Sequence, residues 1–324
     1  MRGDHASLPA DISPGVDPAG PPPPTEPVEP FTVPPRWERR RRWKVPEHPL
    51  FHLLLLVLTF VTTTLFGGAV FSEGGGPLRG GSFLDGLSFS IPLLTILGVH
   101  ELGHYALCRR HGIAATLPYF LPAPIPNLIG TFGALIRIKE PIRDKRALLE
   151  IGAAGPLAGF LTAIPFLLYG VTRARPVEQM VAPGSVLFEY PIFVRFAQDL
   201  TGAGRYTSAV VHEHPAFMAA WFGMLVTALN LLPIGQLDGG HVARAVFGRR
   251  QPLASYAVLF VAVLSAAKGP VWAFFALFTA IFLGVTHPPV ENDDEPLPFG
   301  HKLIALLCLA AFLLCFTALP IRVI

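Results

Sequence analysis

What most restricts this chain is a succession of apolar runs, each near the length of a bilayer crossing, separated by clusters of arginine and lysine. A helix rising 1.5 Å per residue needs about 20 apolar residues to cross a hydrocarbon core of roughly 30 Å. Runs over 49–71, 84–108, 147–171 and 216–241 reach that length, and shorter ones follow over 252–267, 270–285 and 303–319. The chain is 52% hydrophobic and 15% charged, with a mean hydropathy of +0.51. That is the composition of a polytopic membrane protein, not of a soluble domain with a large core. The expected fold class is an all-α membrane protein of about seven transmembrane helices.

The flanks set an orientation. Residues 1–35 hold eleven prolines and little that packs, so they read as a disordered tail, and they lack the apolar stretch of a signal peptide. The run Arg36-Trp37-Glu38-Arg39-Arg40-Arg41-Arg42-Trp43-Lys44 abuts the first span. A basic run with interfacial tryptophans at a span entrance is explained by the positive-inside rule, with no need for a nucleic-acid partner. The N-terminus is then cytoplasmic, and Arg109-Arg110, Arg137–Arg146 and Arg244–Arg250 fall on that same side. The division expected is a tail over 1–45 and a membrane domain over 46–324, in a multi-pass protein of the cell membrane. Cys108, Cys308 and Cys315 form neither a disulfide framework nor a Cys-x-x-Cys pair and read as small core residues.

Two stretches interrupt the helical pattern. Between 113 and 138, Pro118, Pro122, Pro124 and Pro126 break any helix, and low charge favours a re-entrant β-hairpin over a solvated loop. In the fourth span, Pro233 and the glycines of Gly235-Gln236-Leu237-Asp238-Gly239-Gly240 should unwind the helix near Asp238. Residues 172–214 balance four arginines against four acidic groups and read as an outer loop, with His212-Glu213-His214 as an exposed polar turn.

The second span carries His100-Glu101-Leu102-Gly103-His104. Residues four apart stand one above the other on a helix, so both imidazoles can face one metal ion. This is the H-E-x-x-H arrangement of zinc hydrolases, in which the glutamate serves as general base. A carboxylate between two imidazoles in apolar sequence is costly unless something pairs with it. A catalytic zinc needs a third protein ligand. Asp238 is the acidic residue embedded in the fourth span and its break, at a matching depth; on its own it would equally suit a turn before Gly-Gly.

Through His100-Glu101-x-x-His104, Gly155-Pro156-Leu157-Ala158-Gly159 and Asn230-x-x-Pro233-x-x-x-Leu237-Asp238-Gly239, residues 84–250 resemble the site-2 protease family of intramembrane zinc metalloproteases. The likeness is strongest to bacterial members without a PDZ insert, which are related to a plastid branch. The resemblance implies one Zn²⁺ per chain on His100, His104 and Asp238, Glu101 as base, and Asn230 holding the substrate backbone. It also implies a re-entrant β-element over 113–138 and a single-pass membrane protein as substrate, of the kind anti-sigma factors represent. A zinc transporter would not need a glutamate after the first histidine, a prenyl-protein protease would take a downstream glutamate as third ligand, and no motif residue is missing as a silent scaffold would allow.

Overall fold

The computed structural model describes residues 46–71, 82–123, 129–176, 186–207, 211–265, 278 and 284–323. The expected tail and basic run, the Gly-rich loop over 72–81 and nearly all of the sixth run lie outside those residues. Among the described residues, three helices are long and apolar enough to cross a membrane: α1 (Pro49–Phe71), α2 (Phe83–Arg110) and α3 (Lys145–Val171). Each begins as its sequence dictates. Pro49 opens α1, where its missing N–H is no loss. Ser82 caps α2 by accepting from Asp85 N, and Asp144 caps α3 by accepting from Ala147 N at 2.7 Å. Such a cap is worth about 1 kcal/mol.

Hydroxyls inside α1 have no water to bind, and they turn back to their own helix. Thr59 and Thr63 donate to Leu55 O (2.8 Å) and Thr59 O (2.7 Å), while Thr64 donates across to Ser90 Oγ of α2 at 2.8 Å. Small residues set the spacing of this pair, because a Cβ on Gly86 would sit 2.2 Å from Thr64 O. Helix α3 is the hub. It packs against α2 and four further helices: α4 (Ile192–Thr201), α5 (Pro215–Asn230), α6 (Asp238–Phe247) and α8 (Phe299–Cys315). Phe89, Leu93, Ile96, Leu149, Phe217, Met218 and Trp221 fill the core between them. Apolar positions such as Leu54, Leu58 and Leu65 of α1 remain exposed, as on a helix that faces lipid.

The fourth run is two helices, not one. Helix α5 stops at Asn230, a turn over 231–237 follows, and α6 restarts at Asp238. The break thus adjoins Asp238, as Pro233 and the glycines led one to expect, since Pro233 cannot continue the ladder. A Cβ on Gly239 would lie 2.0 Å from Leu231 O, and one on Gly240 would lie 2.3 Å from Gly235 O. The turn folds back so tightly on the first turn of α6 that only glycine fits there. Helix α7 (Gln251–Ser265) takes up most of the fifth run, and α8 starts four residues before the seventh, after Pro298.

The Pro-rich stretch forms an antiparallel hairpin, β1 (Tyr119–Pro122) with β2 (Thr131–Leu135), in register Tyr119↔Leu135 and Phe120↔Ala134. It lies against α1: Tyr119 stacks 4.1 Å from His52, whose Nδ1 bonds Pro118 O at 3.0 Å. Gly130, at φ +74°, brings the hairpin to within 2.7 Å, measured from a built Cβ, of Thr62 O.

The expectation of an all-helical chain with one hairpin needs correction in the 172–214 segment. It carries β3 (Arg175–Pro176), β4 (Val186–Phe188), β5 (Val211–His212) and helix α4 (Ile192–Thr201). Strand β3 pairs β5, and β4 pairs β6 (Ile321–Val323) at the far end of the sequence. Nor is His212-Glu213-His214 an exposed turn. Glu213 accepts a hydrogen bond from Tyr190 Oη at 2.6 Å, and His214 caps α5.

Candidate metal centre

The histidines of α2 face α3 because glycines there leave room. A Cβ on Gly155 would lie 2.0 Å from His104 Nε2, and one on Gly159 would lie 3.2 Å from the His100 Cβ and Nδ1. Gly152 does the same for α6, since its Cβ would meet His241 Cβ at 2.7 Å and Asp238 O at 3.1 Å. One face of α3, with glycine at 152, 155 and 159, therefore lets two helices approach from different sides and meet over it.

They meet at a triangle. His100 Nε2 and His104 Nε2 are 3.2 Å apart, and each is 3.3 Å from Asp238 Oδ2. Among the described residues this is the group of His, Cys, Asp and Glu with ligand atoms close enough to hold a metal ion. Its dimensions discriminate. Zinc bonds of about 2.0–2.1 Å in a tetrahedron place ligand atoms roughly 3.3 Å apart, so the triangle matches one face of a zinc tetrahedron with the fourth vertex open. His104 Nδ1–H donates to Ile151 O at 2.7 Å. That bond fixes the tautomer and leaves Nε2 with its lone pair inward, as a metal-binding imidazole requires.

Glu101 follows His100 on α2 and is 8% exposed. Ile136, which directly follows β2, presents its backbone toward that carboxylate, so the hairpin borders the site. Asn230, the last residue of α5, places Nδ2 3.3 Å from His100 Nε2. All five residues singled out in the sequence are thus gathered at one place. His241, one turn beyond Asp238, stands outside the metal-sized group and bonds His287 at 2.7 Å.

That last contact belongs to a strap over 284–298 which the sequence did not announce. His287 Nδ1–H donates to Pro288 O at 2.6 Å, so its Nε2 is the acceptor for His241 Nδ1–H. Burial holds the His287 imidazole below the usual histidine range, which suits that neutral arrangement. Three residues further along α6, Arg244 pairs with Asp293, both nearly fully buried. Lys145, at the start of α3, donates Nζ to Asp293 O and Glu295 O, each at 2.9 Å. The strap therefore fastens α6 to α3 beside Asp238. The signal available beforehand was only a short acidic run, Glu291 to Glu295, with nothing to name its partners.

The sequence profile of peptidase family M50 matches residues 88–268. Among curated proteins, the chain is 32% identical to the probable zinc metalloprotease EGY2, chloroplastic, of Arabidopsis thaliana, over 73% of this chain and 42% of that protein. It is 30% identical to the probable zinc metalloprotease EGY1, chloroplastic, of the same plant, over 74% of this chain and 44% of that protein. A third relative, the probable zinc metallopeptidase EGY3, chloroplastic, is 28% identical over 82% of this chain and 48% of its own. The chain spans less than half the length of each of these relatives. No solved structure matches it.

Proposed function

The chain belongs to peptidase family M50, and on that footing we propose that it is an intramembrane zinc metalloprotease that cuts a peptide bond within or beside a transmembrane segment of another membrane protein. The observation that carries this reading is the His100–His104–Asp238 triangle, of zinc-tetrahedron size, with Glu101 adjoining it on α2. His100, His104 and Asp238 would hold the zinc, which would supply Lewis acidity to the scissile carbonyl and to the attacking water. Glu101 takes the proton from that attacking water and returns it to the leaving amine. The backbone at Ile136 borders the Glu101 carboxylate, and Asn230 holds the substrate backbone beside His100.

A helical substrate hides its peptide bonds in its own ladder and must open before it is cut. The hairpin offers a place for the opened strand. Strand β1 is taken up by α1, whereas β2 carries Phe132, exposed by 68%, and ends next to Glu101. An extended segment added to β2 is thereby led to the base. The hairpin acts as the re-entrant element of a membrane domain of about seven spans, with water reaching the site through the polar turn at Gly235–Asp238. The protein sits in the cell membrane with its N-terminus in the cytoplasm, where the basic clusters lie. Its substrate is a single-pass membrane protein of the anti-sigma-factor kind.

The test pairs metal analysis with cleavage. Purified protein and its Glu101→Gln and Asp238→Ala variants are incubated with a panel of detergent-solubilised single-span proteins. Wild type should hold about one zinc and cut within the span. Glu101→Gln should keep zinc and lose cutting, and Asp238→Ala should lose zinc. Cutting by Glu101→Gln at the wild-type rate would sink the mechanism.

A further inference from the structure

Helix α4 carries an apolar stripe that none of the described residues covers. Ile192, Phe196 and Leu200 stand at i, i+4 and i+8 and are 61%, 56% and 64% exposed, while Val194, Ala197 and Gln198 face inward. The position of α4 says what medium the stripe meets. Its Phe193 ring lies 5.1 Å from Phe160. Phe160 sits eleven residues, about 16 Å, before the end of α3 at Val171. At the other end of the segment, Tyr206 Oη donates to Val171 O at 2.9 Å. The helix therefore slants down the flank of α3 from its outer end to acyl-chain depth. Like the exposed leucines of α1, the stripe offers an apolar face at that depth.

Behind the stripe lies a cavity of about 380 Å³, bordered by Arg195, Arg205, Tyr206, Thr207, Glu189 and Arg322. Arg205 is paired to Asp199 through two bonds of 2.9 and 2.6 Å, and Arg322 to Glu189 at 2.8 Å. Arg195, one turn from the stripe on the same helix, has no ion-pair partner among the described residues. With Arg205 matched by Asp199 and Arg322 by Glu189, Arg195 leaves the cavity with one surplus positive charge, and an arginine fork suits phosphate oxygens. An apolar face at acyl depth beside a cationic cavity toward the water is the outline of one amphiphile.

We infer that the flank of α4 is a binding site for an anionic phospholipid, its phosphate in the arginine-lined cavity and its acyl chains along Ile192, Phe196 and Leu200. This goes beyond proteolysis and rests on α3 being a membrane-crossing helix. The lipid acts as a wedge that seats the 186–207 segment against α3 and α8. No chemistry at the metal centre is involved.

Two measurements on the full chain test it. In native mass spectrometry from mixed micelles, wild type should retain phosphatidylglycerol over phosphatidylcholine by about fivefold or more. Arg195→Gln combined with Arg322→Gln should abolish that preference, and Arg195→Lys should keep most of it. An unchanged preference in the double variant overturns the proposal, as does displacement of the lipid by nothing while inorganic phosphate alone binds the cavity. In nanodiscs, a nitroxide on Phe196→Cys should be accessible to oxygen and shielded from a water-soluble nickel chelate, with one on Leu54→Cys of α1 as reference. Native Cys108, Cys308 and Cys315 are buried and stay unlabelled. Shielding at 54 but nickel access at 196 refutes the lipid site alone; nickel access at both refutes the membrane reading. Shielding at 196 that survives only with a co-purified protein, and not in nanodiscs of lipid, assigns the stripe to a protein partner and overturns the inference.

Discussion

Replacing Gly155 by alanine tests the metal centre without touching a ligand. The added Cβ would lie 2.0 Å from His104 Nε2 and 2.5 Å from the ring carbons beside it. Ordinary contact between such atoms is about 3.5 Å, so the imidazole must retreat by roughly 1.5 Å. A zinc ligand tolerates about 0.2 Å. His104 cannot yield by rotating, because its Nδ1 is bonded to Ile151 O of α3, one turn before Gly155. Disturbing groups that merely orient a ligand costs about 10–100-fold in metal affinity, and the loss here should reach or exceed the upper figure. Folding should suffer far less: overpacking of about 1–3 kcal/mol is offset by about 1 kcal/mol of helix propensity gained on leaving glycine. The assay is competition for zinc against a chromophoric chelator, with thermal unfolding of the metal-free protein alongside. Gly159→Ala, whose Cβ would stand 3.2 Å from His100, should show a smaller loss, and Gly300→Ala, which meets nothing within 4 Å, none. Wild-type zinc affinity in Gly155→Ala would refute the idea that this face of α3 shapes the site.

The strap gives a second expectation. Asp293→Ala leaves Arg244 buried without its partner, which should cost about 3–5 kcal/mol and lower zinc affinity through the loosened α6; replacing both Arg244 and Asp293 by apolar residues should recover much of the stability, as measured by chemical unfolding. A third concerns pH. Burial pushes the Glu213 carboxyl up to about 7, against the bond from Tyr190, which favours its ionised form. The folded protein thus holds this proton more tightly than the unfolded chain, so stability is full below about pH 4.5 and falls as pH rises through 7, by at most about 3 kcal/mol. Glu213→Gln should flatten that slope in melting temperatures measured across pH 4.5–8.

The chemistry of this site was legible because it is local. Four-residue spacing on one helix aligns His100 with His104 whatever surrounds them, and a proline beside glycines marks a break wherever it falls. The pairing of Asp238 with the histidines came from depth, a property that apolar run lengths encode. What stayed hidden depends on distant partners. The glycines of α3 announced close approach, yet nothing said that Gly155 meets His104 while Gly152 meets His241. Helix α4 shows its i, i+4 spacing in plain letters at Ile192, Phe196 and Leu200. It lay unread because a ten-residue amphipathic stretch within a charged segment looks the same whether its apolar face turns inward or out. Strand β4 pairs with β6 from the opposite end of the sequence, and three residues carry no periodic signal.

The strap has a consequence for how the molecule is made. Every residue gathered at the metal triangle has emerged once Asp238 is translated, yet the groups that fasten α6, His287, Asp293 and Glu295, follow some fifty residues later. At about 5–20 residues per second, a nascent chain spends seconds with its ligands inserted and their frame unfastened. A chain assembling among other nascent helices thereby completes its metal centre only after most of it has left the translocation machinery. The delay is written into chain order, with no separate inhibitory segment needed to impose it.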